Sequence, residues 1–223
     1  IVKRGVTELI TPGVALHDDI LQARDNNFLA AVYLGKQTGV SFLDISTGEF
    51  FTAAGAKDFI DKLLQNFQPS EVLFCKTQRQ EVTHWSNQFH SFFIDDWAFQ
   101  LQYTEELLQT HFKTHSLKGF GIENLDIGII AAGAALHYLG ETRHDKLGHI
   151  TKVNRIAENA YVWMDKFTIR NLELYNSTNT NAVTLLDVID KTISPMGSRM
   201  LKRWLALPLK DVQKIRQRHE VVK

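Results

Sequence analysis

An α/β fold, a mixed sheet with helices on its faces followed by a mainly helical segment, is what these 223 residues predict. Three observations carry that expectation. Short runs rich in β-branched and aromatic residues follow one another between Gly-containing turns over residues 27–54. Runs at 71–75 and 91–95 then alternate with helical periodicity, and past residue 150 the texture turns to capped, striped helices. With 44% hydrophobic and 22% charged residues, the chain is long and apolar enough to bury a sizeable core in two units.

The elements follow in order. Residues 1–27 read as a linker or arm, with Thr11-Pro12-Gly13 as a turn. "NFLAAVYL" (27–34), "GVSFLDI" (39–45) and "EFFTAA" (49–54) predict three antiparallel strands. Phe59, Ile60, Leu63, Leu64 and Phe67 form the apolar stripe of a helix that Pro69 closes. "EVLFC" (71–75), apolar almost throughout, reads as a central strand. A helix over 78–89 and a strand over 91–95 complete the alternation, an order used by ribonuclease-H-like domains.

Thr104 is placed to cap a helix over 104–115, with Leu107, Leu108 and Phe112 inward and Glu105, Glu106, Gln109 and Lys113 outward. The Ala/Gly-rich segment 126–140 predicts a buried brace, and a domain boundary falls within 142–150. "AYVWM" (160–164) reads as strand-like, and Asp165 caps the helix after it. Beyond the polar loop 176–181, residues 184–190 predict a helix burying Leu185, Leu186 and Ile189. Ser194 is an N-cap and Pro195 occupies the first helical position, where its missing N–H costs nothing. Met196, Met200, Leu201, Trp204 and Leu205 make one stripe, Gly197 permits a close approach, and Pro208 ends the helix. Asp211 caps a last helix with Val212, Ile215 and Val222 inward.

Twenty-five Lys and Arg balance 25 Asp and Glu, so overall charge favours neither nucleic acid nor membrane. The single cysteine, Cys75, excludes an internal disulfide and fits a buried thiol in a reducing compartment. The longest apolar run, 127–140, is too short to span a bilayer, and the start at Ile1 without Met predicts a piece of something longer. A nuclease would need clustered carboxylates for two metal ions. Strand 27–34 carries none, while Asp44, Glu49, Asp95 and Asp96 flank turns and strand ends. His111 and His115, four apart, and His144 and His149 lack a third ligand at metal spacing, and no phosphate-binding GxxxxGK[ST] loop occurs. "NST" at 176–178 matches a glycosylation acceptor with no sign of secretion. The outline is a scaffold without catalytic, metal or cofactor residues. From Arg199 to Lys223, eight basic residues face two acidic ones; Arg199, Lys202 and Arg203 are candidates to face phosphate, and a solvated helix face is the alternative.

Beyond such local rules, "ITPGV" (10–14), "ARDNNFLAAVY", "LDISTGEF", "GFGIEN", "RNLEL" and above all "TLLDVIDKTISPMGSRMLKRWLALPLKD" resemble the MutS family of bacterial DNA mismatch-repair proteins. The resemblance implies that residues 1–150 are a connector domain, ribonuclease-H-like and non-catalytic, and that 151–223 begin the core, or lever, domain. It also implies a parent homodimeric ATPase that recognises mispaired duplex DNA and recruits MutL in the bacterial cytoplasm, at the nucleoid. ATP and Mg would bind outside this segment. Glu105, Glu106 and Gln109 are candidates for the MutL surface. Ser194, Pro195, Gly197 and Trp204 form a structural junction. The implied core is incomplete here, which would expose Leu185, Leu186, Ile189, Met200, Leu201 and Trp204. The alternatives are a free-standing protein- or DNA-binding module of the same ancestry, and a divergent nuclease acting through Asp44.

Overall fold

The computed structural model describes residues 9–15, 23–142, 147–175, 177, 179 and 182–222. These fall into two units, the first drawn from 1–21, 27–60 and 67–156, the second from 22–26, 61–66 and 157–223.

The first unit is built on the predicted meander. Strands β1 (Leu29–Leu34), β2 (Thr38–Asp44) and β3 (Glu49–Gly55) pair antiparallel, with Leu29 opposite Leu43 and Phe42 opposite Phe51. Gly48, at φ +72°, takes the left-handed turn position that a β-carbon would strain. Strand β4 (Glu71–Cys75) runs parallel to β1, and β5 (Ser91–Ile94) runs parallel to β4. Every residue of β2 and β4 is buried, as the apolar run of β4 foretells for a central strand. A short strand β6 (Asn154–Arg155) adds parallel to β3, giving the order β5-β4-β1-β2-β3-β6. The sequence reading has no β6, because a two-residue strand carries no periodicity.

Between β3 and β4 lies helix α1 (Lys57–Phe67), whose final Phe67 stacks on Phe42 at 4.2 Å and meets Phe28 edge-on at 5.2 Å. The predicted helix over 78–89 contracts to a 3-10 turn (Lys76–Gln78) and the single-turn α2 (Thr83–Ser86). Only Val82 and Trp85 are buried there, too few apolar anchors for a longer amphipathic helix.

Two further helices cover the sheet. Helix α4 (Asp126–Glu141) is the predicted brace: a β-carbon on Gly39 of β2 would lie 2.2 Å from the Ile127 carbonyl oxygen, so strand and helix backbones touch. Ser41 Oγ donates to the Ala131 carbonyl at 2.8 Å and Thr52 Oγ1 to that of Gly128 at 2.8 Å. Helix α3 (Leu101–Phe112) packs on α4 where Thr104 meets Gly133; a β-carbon there would fall 2.3 Å from Thr104 Cβ. Thr104 is therefore not the cap. It sits one turn inside the helix, buried, and its hydroxyl donates to the carbonyls of Gln100 and Leu101. The interhelix contact, invisible locally, decides its role.

The arm is also more than a linker. Pro12–Val14 form a 3-10 turn with Val14 fully buried, and the carboxylate of Glu71, itself 2% exposed, holds that turn. Thr11 Oγ1 donates to it at 2.5 Å, the Gly13 N–H at 3.0 Å and the Tyr138 hydroxyl at 3.1 Å.

In the second unit the predicted caps form. Asp165 accepts from the Thr168 N–H at 2.7 Å to start α5 (Lys166–Asn171). Thr184 and Asp187 make a reciprocal capping box on α6 (Leu185–Ile189). Ser194 Oγ accepts from the Gly197 N–H at 3.1 Å, and α7 runs Pro195–Ala206. Asp211 accepts from Gln213 and Lys214 at the start of α8 (Val212–Val222). Residues 160–164 are not a strand: Tyr161 makes one antiparallel bridge to Leu209, and Val162 is exposed. Among the described residues their pairing is confined to 208–210, where the Val162 N–H donates to the Pro208 carbonyl at 2.7 Å and the Lys210 N–H to that of Ala160 at 3.1 Å. The expected exposure is met at Leu185, Ile189 and Met200, while Leu186, Leu201 and Trp204 are half-buried; of the residues read as inward on the last helix, Val212 is exposed and Ile215 half-buried. The side chain of Val222, together with His144, Asn176 and Thr178, lies outside the described residues. Among those residues no helix is long and apolar enough to cross a membrane.

Candidate functional site

The outer face of α3 carries the predicted partner residues. Glu106 is exposed and accepts from Gln102 Nε2 at 3.0 Å; half-buried Glu105 accepts from Gln109 Nε2 at 3.2 Å. These i, i+4 pairs fix the two carboxylates in place without neutralising them. Beside them, α3 and α4 leave an open groove of about 470 Å³ lined by Tyr103, Leu107, Leu136, His137, Gly140 and Glu141. The Tyr103 hydroxyl lies 2.9 Å from His137 Nδ1, and His137 Nε2 lies 3.4 Å from Glu141 Oε1. Trp97, 47% exposed, stands edge-on to both rings, at 5.1 Å from Tyr103 and 4.7 Å from His137. Burial, reinforced by the Glu141 charge, raises the Tyr103 phenol above its ordinary value and keeps it a neutral donor. Sequence reasoning missed this groove. Its lining comes from α3 and α4, with Trp97 of the 3-10 turn Asp96–Phe99 against it, and only the unusual His137 in an otherwise apolar helix signalled it.

The carboxylates a nuclease would need are engaged in structure. Asp44 is buried and accepts from the Asn27, Ser46 and Thr47 N–H groups and from Ser46 Oγ at 2.6 Å, a turn device. Asp95 pairs with Lys76 at 2.5 Å. Asp96 accepts from the Cys75 thiol at 3.1 Å and the Thr77 N–H at 3.2 Å. The Cys75 hydrogen bond holds Asp96 below its usual value, and burial pushes the thiol up, so Cys75 is a protonated donor rather than a nucleophile. His111 and His149 point their Nε2 atoms at the carbonyls of Ile150 and Ile45. Among the described residues no three His, Cys, Asp or Glu side chains gather to hold a metal.

The junction at α7 gathers around a residue that sequence reading did not single out. Asp190 accepts from Ser198 Oγ at 2.6 Å, Thr192 Oγ1 at 2.5 Å, the Thr192 N–H at 3.0 Å and Arg24 at 3.4 Å. The Ser198 and Thr192 hydrogen bonds, with Arg24 behind them, lower its carboxyl to about 2. Arg199 donates to the Ala23 carbonyl and Lys202 pairs with Asp25 at 2.5 Å. Two of the three candidate phosphate contacts therefore touch residues 23–25 in this structure. Burial, with a smaller contribution from the Arg203 charge, lowers the Arg218 guanidinium below its ordinary value. Trp204 packs under the Arg218 guanidinium at 4.3 Å, and Pro195 occupies the first turn beside the Ser194 cap. Gly197 is close to its own cap: a β-carbon would lie 3.3 Å from Ser194 Oγ and 3.2 Å from Thr192 Cβ.

Comparison with known proteins bears on this arrangement. The family model for MutS domain II matches residues 27–151, and that for MutS domain III matches 167–223. Over its whole length the chain is 62% identical to the DNA mismatch repair protein MutS of Flavobacterium psychrophilum and 64% identical to that of Christiangramia forsetii. It is 54% identical to that of Bacteroides fragilis. In each case it spans 26% of the relative's length. With two successive domain models covering most of its residues and such identity along all of it, the chain belongs to the MutS family.

Proposed function

We propose that this chain is the joint of a mismatch-recognition ATPase, linking the region that reads mispaired DNA to the levers and ATPase. On this reading residues 1–150 are the connector domain, with a non-catalytic ribonuclease-H-like fold, and 151–223 begin the core domain. The succession of the two domain models along the chain carries the proposal. The strand order β3-β2-β1-β4-β5, antiparallel in its first three members and parallel thereafter, supports the ribonuclease-H-like assignment. The engaged states of Asp44, Asp95 and Asp96 support the absence of catalysis. The parent protein acts as a homodimer in the bacterial cytoplasm, holding ATP and Mg outside this segment and touching mismatched duplex through its other domains. MutL docks on α3 through Glu105, Glu106 and Gln109, whose fixed carboxylates suit a basic partner face. Reversing Glu105 and Glu106 to Lys in the intact protein is expected to weaken MutL binding about tenfold, most strongly at low salt. Unchanged affinity would remove the surface from α3.

A further inference from the structure

We infer that the α3–α4 groove is a receptor for a lysine or arginine side chain of the docking partner, with Trp97, His137 and Glu141 as its recognition elements. The inference rests on the reading of α3 as a partner surface and names what that surface takes. Among the described residues lining the groove, Glu141 is the one carboxylate, and its side chain is 51% exposed. An acidic group at the mouth of an otherwise aromatic and aliphatic slot is complementary to a long cationic side chain, whose methylenes lie on Leu107 and Leu136 while its head reaches the carboxylate.

Trp97 supplies the second element. A tryptophan half open to solvent is uncommon in a well-packed unit, and its edge-on contacts with Tyr103 and His137 hold the indole in one orientation. An ordered, exposed indole against the ring of His137, which itself pairs with Glu141, offers a cation a ring face one residue away from a counter-charge. The Tyr103–His137–Glu141 chain of contacts, 2.9 and 3.4 Å, fixes the carboxylate before any partner arrives, so little ordering is left to pay for on binding. Glu106 is a second exposed carboxylate, on α3, the helix that supplies Tyr103 and Leu107.

The test uses the intact mismatch-repair protein and purified MutL, comparing Glu141→Gln, Trp97→Ala and the Glu105→Lys/Glu106→Lys double variant by calorimetric titration at two salt concentrations. Thermal melts verify folding, and Trp97→Tyr, which keeps a ring, serves as second variant at that site. Glu141→Gln is expected to weaken binding about fivefold and flatten its salt dependence. Trp97→Ala is expected to weaken it about tenfold, and Trp97→Tyr less. If Glu141→Gln and both Trp97 variants bind within twofold of the parent while the α3 double variant is weakened, the groove is not the receptor and the α3 reading stands. If all variants bind alike, both fall.

Discussion

Glu71 offers the sharpest test of how the arm is held. Its carboxylate is 2% exposed and takes three donors, the Thr11 hydroxyl and Gly13 N–H on one oxygen and the Tyr138 hydroxyl on the other. Glu71→Ala strands all three in a buried site. Each unsatisfied donor costs about 1–3 kcal/mol, and a water entering the vacated space would recover part of it, so the loss should be about 3–4 kcal/mol. Glu71→Gln should cost only about 1 kcal/mol. Its carbonyl oxygen can replace the atom shared by Thr11 and Gly13. Its NH2 then donates to the Tyr138 hydroxyl, which turns its own proton toward Thr11 Oγ1, 3.4 Å away. Urea unfolding of the three proteins gives the stabilities, and amide exchange at Gly13 reports the turn directly. Equal losses for Ala and Gln, or a loss below about 1 kcal/mol for Ala, would show that the network does not hold the arm.

Two further outcomes are expected. Gly39→Ala drives a β-carbon to 2.2 Å from the Ile127 carbonyl oxygen, a backbone contact that no rotamer relieves; a loss of about 3 kcal/mol or more, read as a fall in melting temperature, should follow, and a loss under 1 kcal/mol would mean that α4 slides freely on β2. Burial raises both Tyr138 and Tyr175 to about 12, above the ordinary 10, so their neutral forms stabilise the fold fully below pH 10 and that stability is lost as pH rises to 12; denaturant titrations across this window should show the decline, with Tyr138→Phe removing the share of Tyr138.

What was legible in the sequence was whatever a short window determines. The meander strands announce themselves by β-branched and aromatic runs between glycine turns. Asp165, Ser194 and Asp211 cap where read, because a cap bonds an N–H only two or three residues on. Thr104 was misread for the complementary reason: its helix position is set by Gly133, 29 residues later. The arm took its structure from Glu71, and the basic face of α7 found its partners at Ala23 and Asp25, more than 170 residues away. The groove is the extreme case. Trp97, Tyr103 and His137 belong to no common pattern, and only the packing of the 3-10 turn Asp96–Phe99 and α3 on α4 assembles them.

The second unit pairs well-made caps with poorly covered faces. Ile193 is 99% and Met196 70% exposed, so burial contributes little to fixing where α7 begins. A cap contributes about 1 kcal/mol, too little to hold a twelve-residue helix unaided. The remaining restraints are ionic and polar: Asp190 binds Ser198, Thr192 and Arg24 at once, while Arg199 and Lys202 grip residues 23–25. Most of these charges are partly open to solvent, where salt screens them. Salt therefore acts on α7 before it acts on the sheet of the first unit, whose contacts are backbone ladders and buried apolar surface. The Lys202–Asp25 pair, 35% and 42% exposed, is thus the contact of α7 most open to screening, whereas Asp190, 11% exposed and held by the Ser198 and Thr192 hydroxyls, is shielded from it.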